Sequence, residues 1–178
     1  MLIFLRYLIG LCLRGQDPHS PQTRLRCGTI AGGLGILLNL LLSCGKLLAG
    51  FLTGSVAMMA DGVNNLSDAA ASVVTLVGFR LAGQEADAEH PFGHGRIEYV
   101  SGLIVSLAIL LMGIEVARSS LDSLFHGAQV QSSPLAVAIL CAAILVKLWM
   151  FWFNRTLGRT IGSAAIEATA ADSLSDTA

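Results

Sequence analysis

Charge is scarce in this sequence. Of its 178 residues only 13% are charged, against 54% hydrophobic, where a soluble domain carries about 25% charge. That deficit argues against an ordinary soluble domain and for a chain solvated largely by lipid. Positive charge is no better represented. There are 11 Lys and Arg against 12 Asp and Glu, a net charge of −1, so nucleic acid is excluded as a partner for want of a basic surface. Cysteine is sparse as well. Cys12, Cys27, Cys44 and Cys141 show no paired spacing, which speaks against a disulfide framework or a zinc knuckle. Cys44 and Cys141 lie in apolar runs and read as small packing residues.

Long apolar runs, by contrast, are plentiful, and mean hydropathy is +0.70. A membrane-spanning helix needs about 20 apolar residues. Four complete candidates cover residues 28–53, 56–82, 97–119 and 134–154. Gly54-Ser55 reads as a tight turn, "GQEADAEHPFGHGR" as a polar loop, Asp122 to Ser133 as a second loop, and "NRTLGRT" as a short connection. A fifth helix is predicted to start near Ile161, and the chain stops at Ala178, short of a full span. A helix ending at membrane depth leaves carbonyls without partners, so the sequence reads as truncated within the fifth span. The expected fold class is therefore an all-α membrane protein, a helical transmembrane bundle over residues 28–178. Residues 1–27 form an N-terminal segment in which Leu5, Leu8, Ile9 and Leu13 fall near helical spacing. That pattern suits an amphipathic helix lying on the membrane surface.

Basic residues set the expected orientation. Arg14, Arg24 and Arg26 precede the first span, Arg80 and Arg96 flank the polar loop, and Arg155 and Arg159 follow the fourth span. The positive-inside rule then puts the N-terminus and the His-containing loop in the cytoplasm. Small residues four apart, Gly28/Gly32 and Gly50/Gly54, mark close helix packing rather than chemistry.

Against this apolar background the stretch "ADGVNNLSDAAAS" stands out. Asp61, Asn64, Asn65 and Asp68 are spaced i, i+3, i+4, i+7, one face of a helix. A carboxylate at membrane depth is costly, and normally faces a cavity, a partner or a substrate. A single polar residue could be a packing device; two carboxylates and two amides on one stripe are harder to explain that way. The fifth helix, "ATAADSLSD", adds Asp172 and Asp176 at i, i+4. Like charges at that spacing repel unless a cation or protons neutralise them. Asn64, Asp68, Asp172 and Asp176 together offer four oxygen-bearing side chains and no His or Cys. Such hard ligands suit Mn²⁺ first; Zn²⁺ accepts carboxylates too, and Fe²⁺ stays open. Mg²⁺ is disfavoured by its reluctance to dehydrate.

A second constellation, Asp87, His90 and His94, lies in "DAEHPFGHGR". Pro91 and Gly93 separate the histidines, so they are expected to converge across a turn rather than along a helix. A carboxylate and two imidazoles make a reasonable mixed divalent-metal site, which spacing alone leaves open. Glu115 and Lys147 also lie deep in apolar segments. They form an inter-helix pair or snorkel to the surface, and the sequence leaves both readings open.

In this order, "ADGVNNLSDAAAS", "DAEHPFGHGRIE" and "ATAADSLSD" resemble the cation diffusion facilitator family of proton-coupled divalent-metal exporters. The resemblance runs from about Gly28 to the C-terminus. It implies a transport site between the second and fifth helices, with Asn64 and Asp68 facing Asp172 and Asp176. Zinc-selective members usually carry a His among these four positions, so Asn with three Asp looks like the manganese-exporting branch. The resemblance also implies a cytoplasmic-side metal site at Asp87, His90 and His94 in some members. Asp61 and Asn65 then line the path without entering the final site. Family members typically have six spans, a cytoplasmic C-terminal domain and a homodimeric assembly; the sixth span and that domain are not in this sequence.

The expected activity is thus export of a divalent metal, Mn²⁺ foremost, in exchange for H⁺ across a bacterial plasma membrane, with no prosthetic group and no enzymatic step. Zn²⁺ or Fe²⁺ export and a transport-incompetent short subunit are the alternatives. An intramembrane aspartyl protease also needs two membrane aspartates, but none of Asp61, Asp68, Asp172 and Asp176 sits in a Gly-x-Gly-Asp element.

Overall fold

Ser20 and Pro21 open the first long helix. The Ser20 hydroxyl accepts the Thr23 amide at 3.3 Å, and Pro21 stands where a missing N–H costs nothing. The computed structural model describes residues 9–10, 12–13, 16–86, 90–126 and 134–177. Helix α1 spans Pro21–Thr53. Gly54, at φ 68, closes it by donating to the Gly50 carbonyl, a left-handed cap that glycine adopts without strain. Ser55 then caps helix α2, Val56–Ala82, accepting from the Met58 amide. Helix α3 runs Ile97–His126 and α4 Pro134–Ile161. Gly162, at φ 65, makes the next sharp turn, and Ser163 caps α5, Ala164–Ser175, by accepting from Ile166 at 3.3 Å. Among the described residues every regular element is a helix.

The helix boundaries depart from expectation in three places. α1 starts at the Ser20 cap, ahead of the apolar run. α3 continues to His126, so Asp122 begins no loop. "NRTLGRT" is no connection either: it is the last part of α4. Those residues include no proline, and Gly158 serves packing. A Cβ there would lie 2.9 Å from Glu167 Cγ, so the absence of a side chain lets α5 fold back onto α4.

Among the described residues, three helical stretches are long and apolar enough to cross a membrane: 21–53, 97–115 and 137–161. α2 has the length, at 27 residues, but is not among them; Asp61, Asn64, Asn65 and Asp68 dilute its apolarity. α5, at 12 residues, is shorter than the roughly 20 a span needs. Large apolar side chains such as Leu41, Phe51, Leu103, Leu107, Leu111 and Leu145 point outward, as a lipid-facing surface requires.

α1 and α2 form a tightly packed hairpin. A Cβ on Gly28 would fall 2.1 Å from the Phe79 ring, and one on Gly32 would fall 2.8 Å from Leu76 Cβ, so small residues let the two backbones approach. α5 packs on α4, α3 and α2. Its entry from α4 is fixed by Arg24. That guanidinium donates to both Glu98 oxygens, at 2.8 and 2.7 Å, and to the carbonyls of Ile161 and Gly162. One side chain of α1 thereby holds α3 and the α4–α5 turn together. Glu98 is buried, so Arg24→Ala leaves a buried carboxylate unpaired. The expected cost is about 3 kcal/mol, checked by thermal unfolding of the detergent-solubilised protein.

Candidate metal centre

The polar stripe of α2 is shared between two neighbouring helices. Its first half meets α1. Lys46, buried in α1, places its ammonium 2.9 Å from Asp61 Oδ2 and donates to Asn65 Oδ1 at 3.3 Å. The Ser43 hydroxyl adds a 2.7 Å bond to the Gly62 carbonyl on the same seam. Asp61 and Asn65 are therefore tied to a fixed cation.

The second half of the stripe meets α5. Asp68 is 1% exposed and Asp172 6%; Asp176, at the C-cap of α5, is half-buried. The Asp176 amide donates to the Asp172 carbonyl at 3.1 Å, carrying the last helical turn through both acids. One carboxylate oxygen from each of Asp68, Asp172 and Asp176 lies within 4.8 Å of the others. Asn64 stands one turn before Asp68 on α2, half-buried. Of the four oxygen-bearing residues expected from the sequence, the fold brings Asp68, Asp172 and Asp176 to one point.

The fourth helix contributes what sequence reasoning left undecided. Lys147 of α4 is 2% exposed, and its ammonium lies 2.7 Å from Asp68 Oδ2 and 2.5 Å from Asp176 Oδ2. It pairs neither with Glu115, which is exposed, nor with the surface. A usable signal was present: buried acids demand a cation, and Lys147 is the first basic residue of α4, ahead of Arg155. Asp68 Oδ1 remains buried with no hydrogen-bond partner. An orphaned carboxylate oxygen inside a cluster of acids is costly, and a cation beside it would remove that cost.

Asp87 lies outside the described residues. His90 and His94 do converge across a turn, with ring centroids 4.4 Å apart. Gly93, at φ 76, donates to the His90 carbonyl at 2.9 Å. His94 is buried, with Nδ1 3.2 Å from the Glu85 carbonyl oxygen, while His90 is exposed. They stand at the end of the bundle held by Arg24 and Glu98, beside a cavity of about 560 Å³ that His94, Arg24 and Glu98 line.

Comparison with known proteins bears on the same residues. The family described as the cation efflux transmembrane domain matches residues 34–178. The manganese efflux system protein MneS of Bacillus subtilis (strain 168) is 34% identical over 152 residues, covering 85% of this chain and 52% of that protein. Metal tolerance protein C1 of Arabidopsis thaliana is 33% identical over 152 residues, covering 77% of this chain and 32% of that protein. A second manganese efflux system protein of B. subtilis, MneP, is 29% identical over 144 residues, covering 80% of this chain and 48% of its own length. The chain spans about half the length of these B. subtilis relatives. With a match that runs through both aspartate motifs, the chain belongs to the cation efflux, or cation diffusion facilitator, family, whose members are transporters and not enzymes.

Proposed function

We propose that this chain carries the transport site of a divalent-cation exporter that exchanges Mn²⁺ for protons. The observation that carries the reading is the carboxylate cluster of Asp68, Asp172 and Asp176, in which Asp68 Oδ1 stands unpartnered. Asn64 adds an amide oxygen from the same face of α2. An all-oxygen donor set favours Mn²⁺ over metals that prefer imidazole or thiolate, and two of the relatives are named for manganese efflux. Zn²⁺ and Fe²⁺ are the next candidates for the same ligands.

In this reading α1 to α4 are four spans and α5 begins a fifth. The N-terminus and the histidine loop face the cytoplasm of a bacterial cell, and two copies form the working dimer. The cation enters from the cytoplasm and is held by oxygens of α2 and α5. A relative movement of these helices opens the site to the outside. Protons then take the carboxylates, release the metal and return inward. Asp61 and Asn65, anchored by Lys46, line the path beyond the site. Asp87, His90 and His94 form a second divalent-cation site at the cytoplasmic end.

The test is Mn²⁺ uptake into everted membrane vesicles bearing the full-length protein, with and without an imposed proton gradient. Gradient-dependent uptake is expected; its absence overturns the reading. In the same assay Asn64→His, which introduces an imidazole, should move the Mn²⁺/Zn²⁺ uptake ratio toward Zn²⁺ by about tenfold. An unchanged ratio would remove Asn64 from the ligand set.

A further inference from the structure

A membrane site that collects carboxylates has to reject the abundant monovalent cations of the cell as well as choose among divalent ones. Three aspartates that share an ion by charge alone would hold K⁺ or Na⁺ too. The position between Asp68 and Asp176 is occupied by a cation of the chain itself: the Lys147 ammonium contacts one oxygen of each, at 2.7 and 2.5 Å, from a side chain that is 2% exposed. It bridges the two ligand-bearing helices at the point where an ion would join them. With the acids ionised, three negative charges and one positive charge leave a net charge of −2, equal and opposite to one divalent ion.

We propose that Lys147 is the residue by which this site excludes monovalent cations. The inference rests on the transport reading of the same cluster. A K⁺ ion that takes the place of the ammonium exchanges one unit charge for another and gains no Coulomb energy. It also has to outcompete a charge that is covalently tethered, and so present at high effective concentration. A divalent ion at the same oxygens doubles the attraction to each carboxylate. It can begin on Asp68 Oδ1, the buried oxygen that the lysine leaves unpartnered, together with Asp172, which Lys147 does not bridge. The ammonium then yields its two oxygens as the metal settles. Lys147 is a positioning residue in this scheme: it holds Asp68 against Asp176 until a doubly charged cargo arrives, and it sets the charge an arriving ion must exceed.

Lys46 shows that a lysine on this stripe need not act so. Its partners are Asp61, which is half-exposed, and the neutral Asn65, and neither belongs to the carboxylate cluster.

The experiment is a Mn²⁺ binding isotherm on the purified full-length protein, wild type against Lys147→Met. Each is measured in KCl and in N-methyl-D-glucamine chloride of equal ionic strength, so that screening is the same and only the size of the monovalent ion differs. The wild type should give the same apparent Kd in both salts. In N-methyl-D-glucamine, Lys147→Met should bind Mn²⁺ about tenfold more tightly than wild type, because a competing charge has gone. In KCl it should lose about tenfold of that affinity, because K⁺ now enters the vacated place. Lys147→Arg keeps the charge and the contact, and should remain insensitive to the choice of salt. Equal salt responses in wild type and Lys147→Met overturn the inference and leave the transport reading standing. Failure of the wild type to bind Mn²⁺ in either salt overturns both.

Discussion

Asp172→Ala is expected to lower Mn²⁺ transport by at least about a hundredfold, the upper end of what the loss of a merely supporting contact costs at a metal site. Asp68→Ala should match it. The two variants differ in what they do to the fold, and the difference separates loss of a ligand from loss of structure. Lys147 bridges Asp68 and Asp176, so Asp172→Ala leaves both ion pairs in place and relieves the like-charge contact with Asp176 one turn on. Its thermal stability without metal should equal or exceed that of the wild type. Asp68→Ala removes one of two partners from a buried ammonium and should destabilise the fold. A control at Asp61 completes the set. Asp61 belongs to the pair with Lys46 and not to the carboxylate cluster, so Asp61→Asn should alter transport far less than either site variant. The measurements are Mn²⁺ uptake into vesicles and unfolding temperature in detergent, on the same preparations. Wild-type transport by a folded Asp172→Ala protein would remove the cluster from the mechanism.

How much of this could be read before the structure depended on whether the signal was local. The bounds of α2 follow from Gly54, Ser55 and a run of helix formers, and the sequence reading placed them at 56 and 82, as observed. The i, i+3, i+4, i+7 spacing of Asp61, Asn64, Asn65 and Asp68 is a property of one helix, and so is the pairing of Asp172 with Asp176. The end of α4 is hidden in the sequence because the polar side chains of residues 154–160 look like a loop. At a membrane boundary a helix continues into water without changing its backbone, and only Gly162, at φ 65, forces the stop. The clamp from Arg24 to Glu98 joins residues 74 apart in sequence, and the bridge from Lys147 to Asp68 joins residues 79 apart. No periodicity carries such information, because it arises only when helices pack. Lys46 and Lys147 were visible as lone cations in apolar runs. Which acid each would meet is decided by the α1–α2 hairpin and by the folding of α5 onto α4. The membrane character was legible throughout, although α2, the helix richest in chemistry, carries too many polar groups to qualify as a span by apolarity.

Mn²⁺ affinity should fall steeply as pH is lowered. The sign follows from the ligands. In the proposed site Asp68, Asp172 and Asp176 would bind metal as carboxylates, so each proton that must leave before the ion can enter should reduce apparent affinity as acidity rises. One competing proton gives about a tenfold loss per pH unit and two give about a hundredfold, over the range in which those protons are bound. Above that range the dependence flattens, because no proton remains to be displaced. The three acids share one small volume, with oxygens within 4.8 Å of one another, so a single ion would face all three. Calorimetric titration of Mn²⁺ into the full-length protein over a pH series checks the slope. Repeating it in buffers of different ionisation enthalpy counts the protons released per metal bound. Asp172→Asn, which keeps the shape but offers no titratable carboxylate, should bind more weakly at high pH and show a shallower slope. The proton release measured here is the quantity that an antiporter converts into work: a site that gives up protons when it takes metal must give up metal when it takes protons. An affinity independent of pH wherever the protein stays folded would uncouple the site from protons and leave it a binder of divalent cations with no means of exchange.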